Sequence, residues 1–188
     1  MSRLSKKKRN ELNENQQEQF DRICKFRQPR EDGQIGGPFD PWIRSPELAR
    51  RAVSFGNFVW ERTTVDRGIV ELAIIVTARY WRSNVEWVSH AAAAKNYGIP
   101  QDVIDSVFEQ QRPRTSVPEV VCAYDLVYAL NVEKDVPQDI YDSAVSVFGE
   151  QGVVELIAAT GYYTMVAMTL NTFEIQPPAD VELPFPRM

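Results

Sequence analysis

Residues 68–90 read GIVELAIIVTARYWRSNVEWVSH. The first part of this stretch, from Gly68 to Tyr80, is almost wholly apolar apart from Glu71 and Arg79. Such a composition predicts a buried helix that carries one isolated carboxylate. Because a buried charge without a partner costs roughly several kcal/mol, Glu71 needs a partner elsewhere in the fold.

A second helix is predicted to begin near Ser83 and to end at Gly98, and it contains His90, the only histidine of the chain. Residues four apart in a helix share a face, so Glu86 and His90 lie one turn from each other. Glu71 adds a second acid. Burial raises the pKa of a carboxyl group, and a neighbouring carboxylate raises that of an imidazole, so such a cluster holds and passes a proton near neutral pH.

Apolar residues at helical spacing and proline or glycine boundaries predict further helices on both sides of this hairpin. One of these helices starts at Ser45-Pro46-Glu47, and its inward stripe is expected to be Leu48, Ala52, Phe55 and Val59. The expected ranges of the others are 10–26, 100–108, 118–131, 137–149 and 152–173. Residues 28–41 contain three glycines and three prolines and are expected to form a loop. No segment shows the sustained period-two alternation of strands, so we predict one all-α domain over residues 1–188.

Two extensions flank the predicted helical hairpin and its neighbours. Residues 1–45 supply a helix and a loop, and their basic run Lys6-Lys-Lys-Arg9 is expected to be solvated. Residues 175–188 contain four prolines, which predict an extended arm suited to lie against a neighbouring subunit.

The charge balance of the chain bounds its partners and its location. The net charge is −5 and the pI is near 5.0, which argues against nucleic-acid binding because that needs clustered Lys and Arg. Two distant cysteines and the lack of an apolar stretch at the start suit a cytoplasmic protein. The stretch 156–173 has no charged residue, but its polar residues and its lack of basic flanks favour a buried helix over a membrane span.

Each polar residue of the hairpin also has a plainer interpretation. Ser83 with Glu86 three residues later fits a capping box, in which both side chains satisfy backbone N–H groups. Glu71 can be a structural acid held by Arg79 or Arg82, and the histidine a core residue bonded to one carbonyl. One histidine with two acids is a thin ligand set, so no metal is expected.

The residues around the turn of the hairpin are candidates for binding an anionic substrate. Tyr80 and Trp81 are further candidate walls of a pocket, although these residues can equally be exposed cations and core aromatics. The candidate substrate-binding residues are Arg79, Arg82, Ser83 and Trp87.

The run Glu71-Leu-Ala-Ile-Ile-Val-Thr-Ala-Arg79, followed by Val85-Glu-Trp-Val-Ser-His90 and Gly98-Ile-Pro-Gln-Asp-Val-Ile104, resembles the carboxymuconolactone decarboxylase family, which includes the alkylhydroperoxidase D-like proteins. The matching motif covers residues 68–108, and Gly36-Gly-Pro-Phe39 with Ser45-Pro-Glu-Leu48 is similar to the lead-in of longer members. The resemblance implies an all-α fold built around a helical hairpin. It also implies homo-oligomers, either trimers or hexamers of paired trimers, with sites near subunit contacts.

The family that this chain resembles has two chemistries. Its peroxidase branch has a CxxCxxxH motif and an upstream glutamate that relays protons. Glu71 and His90 occupy the relay positions, but Ser83 and Glu86 stand at the two cysteine positions. Neither a hydroxyl nor a carboxylate cycles through a disulfide, so the sequence argues against peroxidase activity of that kind.

The decarboxylase branch is a group of cofactor-free lyases of aromatic catabolism with a Glu-x-x-x-His element, which Glu86 and His90 match. The resemblance implies that a carboxylated lactone loses carbon dioxide and leaves a dienolate that must be stabilised and protonated. In this assignment His90 donates the proton, Glu71 and Glu86 set its protonation and orientation, and Arg79 or Arg82 steadies the anion. Related lactone isomerisation or hydrolysis would need the same proton handling.

Two other functions stay open at this point. A non-catalytic oligomeric protein of the same fold could bind a small molecule in the pocket, and a thiol peroxidase could use Cys24 or Cys122 if one of them lay exposed beside His90. Cys122, on an apolar helix, is expected to be a small core residue. An enzyme is favoured if the histidine and both acids converge on an open cavity, and a binding or structural role if Trp81 and Trp87 seal the histidine.

Overall fold

The computed structural model describes residues 2–186, and within this range the chain contains helices, turns and irregular segments but no strand. The predicted all-α class is therefore confirmed. The elements are a 3-10 turn, Arg9–Glu11, and the helices α1 Glu14–Cys24, α2 Phe39–Trp42, α3 Pro46–Glu61, α4 Arg67–Tyr80, α5 Asn84–Asn96, α6 Gln101–Phe108, α7 Pro118–Val132 and α8 Gln138–Thr172.

Helix α4 is the central helix, and it packs against α5, α6, α7 and α8. Every residue from Gly68 to Ala78 is buried, as the apolar run predicts. Asp66 caps the helix by accepting a hydrogen bond from the Gly68 amide at 2.8 Å. A side chain at position 68 would meet the backbone carbonyl oxygen of Tyr97 at 2.6 Å, so the glycine lets α4 approach the end of α5 closely.

A tight turn joins α4 to α5 and forms the predicted hairpin. Arg82 adopts a positive φ of 49°, and the amide of Ser83 donates to the carbonyl of Ala78 at 2.9 Å. This geometry reverses the chain, so that α5 lies along α4 over much of its length. The side chains of the two helices therefore meet, which is the condition for Glu71 and His90 to interact.

Helix α3 buries a face that lies beside the predicted one. Ala52 and Val59 are buried as expected, but Leu48 and Phe55 are 43% and 40% exposed, so their assignment to the inward stripe is wrong. The observed buried face is Ala49, Ala52, Val53 and Val59. The contacts of α3 with α1 and α8 select this set, and Phe55 contacts the core through a T-shaped ring pair with Tyr162.

Helix α8 contains a break at Gly149, which has a φ of 66° and a ψ of 169°, so it corresponds to the two predicted helices 137–149 and 152–173. Among the described residues it is the one helix long and apolar enough to cross a membrane by length and composition. Within that apolar window 56% of the residues are buried inside the fold. The core helix of a globular protein passes the same test, so this is weak evidence for a membrane span.

The C-terminal tail lies against its own chain, on the outer face of α5. Phe185 is 5% exposed and packs against both Trp87 and Phe108, with ring centroids 5.5 and 5.7 Å away. Asn84 donates to the Phe185 carbonyl at 3.1 Å and accepts from the Phe185 amide at 2.8 Å. The predicted arm is therefore docked on the subunit to which it belongs, and contact of its remaining surface with a second subunit stays a prediction.

Candidate functional site

A pocket of about 510 Å³ opens between α3, α5, α8 and the segment that follows α1. Its lining contains His90 and Glu86, the Glu-x-x-x-His pair of the sequence. The aromatic lining residues are Phe26, Phe39, Trp60, Tyr162 and Tyr163, and the other polar or charged ones are Arg27, Asn57, Glu61 and Ser89. The volume suits one small organic molecule.

His90 is held in place by Glu71, which lies behind it on α4. The Nδ1 atom of His90 is 2.7 Å from Oε2 of Glu71, and Glu71 is fully buried. A carboxylate only accepts hydrogen bonds, so the Nδ1 atom carries the hydrogen and Nε2 is the nitrogen left for a ligand. Within the described range Nε2 has no hydrogen-bond partner in the protein, and His90 reaches the open pocket instead of being sealed behind the tryptophans.

Arg67 is the cation that balances Glu71. It lies four residues earlier on α4 and donates from Nη2 to Oε1 of Glu71. Its guanidinium also stacks 3.7 Å from the ring centroid of Trp60 and donates to the carbonyls of Val59 and Trp60 at 3.3 and 3.2 Å. The sequence carried a signal for this partner, because residues four apart on a helix are neighbours. The expectation that Arg79 or Arg82 holds Glu71 is wrong.

Glu86 is a buried acid without a partner. It is 2% exposed, and within the described part of the chain neither carboxyl oxygen accepts or donates a hydrogen bond. Burial raises its pKa to about 8, an effect that the nearby Ser83 hydroxyl opposes to a smaller extent without reaching hydrogen-bonding geometry. Glu86 is therefore mostly a neutral carboxylic acid at pH 7. The capping-box interpretation is wrong, since neither side chain bonds to the start of the helix.

Two tyrosines of α8, Tyr162 and Tyr163, also line the pocket, and the sequence analysis predicts a role for neither. The ring of Tyr163 lies perpendicular to that of His90, with centroids 4.8 Å apart. Burial raises the pKa of both phenols, and the charges of nearby carboxyl groups, chiefly Glu71 at Tyr163 and Glu86 at Tyr162, raise it further. Both side chains are therefore neutral hydroxyl donors at physiological pH.

The four residues expected to bind substrate are not brought to this pocket. The Arg79 guanidinium donates to the Phe108 carbonyl at 2.5 Å and lies over Phe185, and Arg82 donates to the Pro186 carbonyl at 2.9 Å. Trp87 packs on the C-terminal tail, and Ser83 is fully buried. Successive residues of a helix are about 100° apart, so Trp87 faces away from the pocket that its neighbour Glu86 lines. A role for Arg79, Arg82, Ser83 and Trp87 in substrate binding stays a prediction, without a contact to this pocket.

The two cysteines lie outside this site. Neither Cys24 nor Cys122 lines the pocket, and burial raises the pKa of both thiols above the ordinary value. A raised pKa lowers the thiolate fraction and with it the reactivity toward peroxides. Between residues 2 and 186 no group of three or more His, Cys, Asp or Glu side chains is placed to hold a metal ion.

Solved structures resemble this chain over most of its length. An uncharacterized peroxidase-related protein from Ralstonia eutropha JMP134 with an alkylhydroperoxidase AhpD core is 13% identical, with a TM-score of 0.73 over 95% of this chain and 93% of that one. A protein of unknown function from Agrobacterium tumefaciens, described as a candidate antioxidant defence protein AhpD, is 17% identical. Its TM-score is 0.59, and the match covers 77% of this chain and 99% of that one. This chain has an alkylhydroperoxidase D-like fold.

No protein-family model matches this AhpD-like chain, and no curated protein matches it in sequence. At 13% and 17% identity the structural likeness establishes the fold and leaves the activity to be argued from the site. The narrower resemblance to carboxymuconolactone decarboxylases, the trimeric or hexameric assembly and the cytoplasmic location stay predictions.

Proposed function

We propose that the chain is a cofactor-free enzyme that moves a proton to or from a small carboxylated substrate, with decarboxylation of a carboxylated lactone as the reaction that its residues suit best. One observation carries this proposal. Glu86, an acid that burial holds neutral, and His90, an imidazole that Glu71 orients, both line the same open pocket of about 510 Å³, with the Glu86 carboxyl oxygens buried in its wall. Burying an unpartnered carboxyl group is costly, and enzymes keep such groups where chemistry needs them.

The roles follow from the geometry of the two groups. When the bond between carbon and the carboxylate breaks, carbon dioxide leaves and the electron pair passes into an enolate. The neutral Glu86 is suited to donate a hydrogen bond to the enolate oxygen, as a protonated acid does in an oxyanion hole. Protonated His90 delivers a proton from Nε2 to the carbon, while Glu71 and Arg67 stabilise the ring through Nδ1. Solvent then restores the proton, so each turnover releases one carbon dioxide and consumes one proton.

The test is turnover of a panel of carboxylated lactones, followed by carbon dioxide release and by incorporation of solvent deuterium at the protonated carbon. General acid catalysis contributes about 10²- to 10⁴-fold in rate, so His90→Gln is expected to lose about that much. Glu155→Gln is the matched control, because Glu155 is a buried glutamate that binds Thr64 and does not line the pocket. A His90→Gln variant that decarboxylates every accepted lactone at the unmodified rate shows the proposal to be wrong.

The same experiment separates the alternatives. A binding protein of this fold would take up lactones without releasing carbon dioxide or exchanging hydrogen. A thiol peroxidase would consume hydrogen peroxide in the presence of dithiothreitol and lose that activity when Cys24 and Cys122 are replaced by serine. The placement of both cysteines outside the pocket does not favour the thiol peroxidase.

A further inference from the structure

We infer that Arg27 binds a carboxylate that the substrate keeps through the reaction, so that the N-terminal extension supplies the anion-binding part of the site. This inference rests on the proposed function, since it concerns the same pocket. Arg27 is the lining residue with a guanidinium group, and it follows α1 in the segment that the hairpin motif does not cover.

The Arg27 side chain is held in place by the loop, and its outer nitrogens are left free. Its Nε donates to the carbonyl of Ile35 at 3.2 Å, and its guanidinium lies 5.5 Å from the ring centroid of Phe39. Within residues 2–186 the two Nη groups have no hydrogen-bond partner. A guanidinium presents paired N–H groups in a planar fork that matches the two oxygens of a carboxylate.

No acid of the described chain forms an ion pair with Arg27. Asp40, whose charge acts on it, is already engaged, because its two oxygens accept from the amides of Ile35 and Gly36 at 3.0 and 2.8 Å. Glu61 lines the same pocket but is not among the groups whose charge acts on Arg27. Partial burial of the guanidinium, followed by the charge of Arg30, lowers the pKa of Arg27, although the residue as a whole is exposed to solvent. A cation that lies beside a second arginine and has no direct ion-pair partner in the described chain gains from an anionic ligand.

Arg67, the other arginine near the pocket, is not available for that role. It is committed to Glu71 and to the ring of Trp60. An ion pair with the carboxylate that leaves would slow the reaction, because it stabilises the charge that loss of carbon dioxide must disperse. The carboxylate that Arg27 binds is therefore a second one, distinct from the group that reacts at His90. The aromatic walls, including Phe26 and Phe39 from the same extension, suit a flat unsaturated body between the two ends.

Cinnamate and cinnamamide form a matched pair of probes, because they share a flat unsaturated body and differ in charge. Isothermal titration calorimetry on the full chain is expected to show that the acid binds more tightly than the amide. Arg27→Gln is expected to weaken cinnamate by about 10- to 100-fold, the value of a hydrogen bond to a charged group, and to leave cinnamamide within about twofold. Arg62→Gln is the control, because Arg62 is an exposed arginine that neither lines the pocket nor acts on the charge of Arg27, and it should leave the binding of both probes unchanged.

Arg27→Lys keeps the charge but loses the fork, so we expect an intermediate loss; it also replaces Arg27→Gln if circular dichroism shows that variant to be unfolded. The inference is overturned if the unmodified protein shows no preference for the acid, including the case in which it binds neither probe, or if neither Arg27 variant weakens cinnamate. Failure of the proposed function looks different. Then His90→Gln keeps its turnover, while the preference for cinnamate still depends on Arg27.

Discussion

The two faces of α5 differ in whether their buried polar side chains are hydrogen-bonded. On the face toward the C-terminal tail, Asn84 exchanges two hydrogen bonds with the backbone of Phe185, and Trp87 is packed against its ring. On the face toward the pocket, Glu86 has no hydrogen bond although it is buried. A buried polar group without a partner costs free energy, so one face stabilises the fold while the other gives up stability for a reactive group.

Replacing Glu86 tests that contrast most strongly. The pKa of Glu86 is about 8 in the folded state and 4.5 as its ordinary value, so the unfolded chain ionises at a lower pH than the folded protein. The protein is therefore destabilised as the pH rises from 4.5 toward 8, and this loss is absent below pH 4.5. Glu86→Gln stays neutral and does not bear this loss, so at pH 7 it is expected to be more stable by about 3 kcal/mol. Urea unfolding at pH 4, 7 and 8.5 measures the difference, and activity is expected to fall.

Glu155→Gln is expected to lower the stability at pH 7, whereas Glu86→Gln is expected to raise it. Burial acts against ionisation of Glu155, but hydrogen bonds from Gln151 and Thr64 lower its pKa overall. Its contribution to stability is therefore present above the ordinary pKa of 4.5 and is lost as the pH falls below it. Equal pH slopes for the Glu86 variant and the unmodified protein would mean that Glu86 is not held neutral in the fold.

A substitution on the face of α5 toward the tail is expected to change the stability of the protein and not its activity. Phe185→Ala removes a ring that is 5% exposed and is expected to cost about 2 kcal/mol in the free energy of unfolding, with little effect on the pocket. Leu183→Ala is the control, since Leu183 is also an apolar tail residue but is 37% exposed. Urea titrations at two protein concentrations measure both. A loss that changes with concentration would place the tail on a second subunit instead of on its own α5.

The smallest effect is expected at the hydrogen bonds of the tail. Asn84→Ala leaves the amide and the carbonyl of Phe185 without their partners and should cost about 1 kcal/mol. Asn96→Ala, at the exposed end of the same helix, is the matched control and should stay within about 0.5 kcal/mol. Thermal unfolding of the two variants makes the comparison. An equal effect of both changes would show that the tail is not docked through Asn84.

Sequence reasoning succeeded where the interactions are local or periodic. The hairpin follows from an apolar run, a short turn and a second helix, and the pairing of Glu71 with His90 follows once the helices are antiparallel neighbours. It did less well with partners. The spacing of four residues predicts the pair of Arg67 with Glu71, whereas Arg79 and Arg82 donate to the carbonyls of Phe108 and Pro186. Arg27 and Tyr163 reach the pocket from distant parts of the chain, and no local pattern marks them.

By itself, the sequence determined the long helices, the burial of α4 and the placement of Glu86 and His90 on one face, because backbone geometry sets these relations within a few turns. It did not determine the short helix α2, which begins at Phe39 inside the predicted loop 28–41. Only the tertiary structure decided which face of α5 is covered and which is open. That choice depends on where α3, α8, the segment that follows α1 and the tail pack, and packing joins residues that lie more than a hundred positions apart, such as Asn84 and Phe185. The chemistry of the site arises from the face left uncovered.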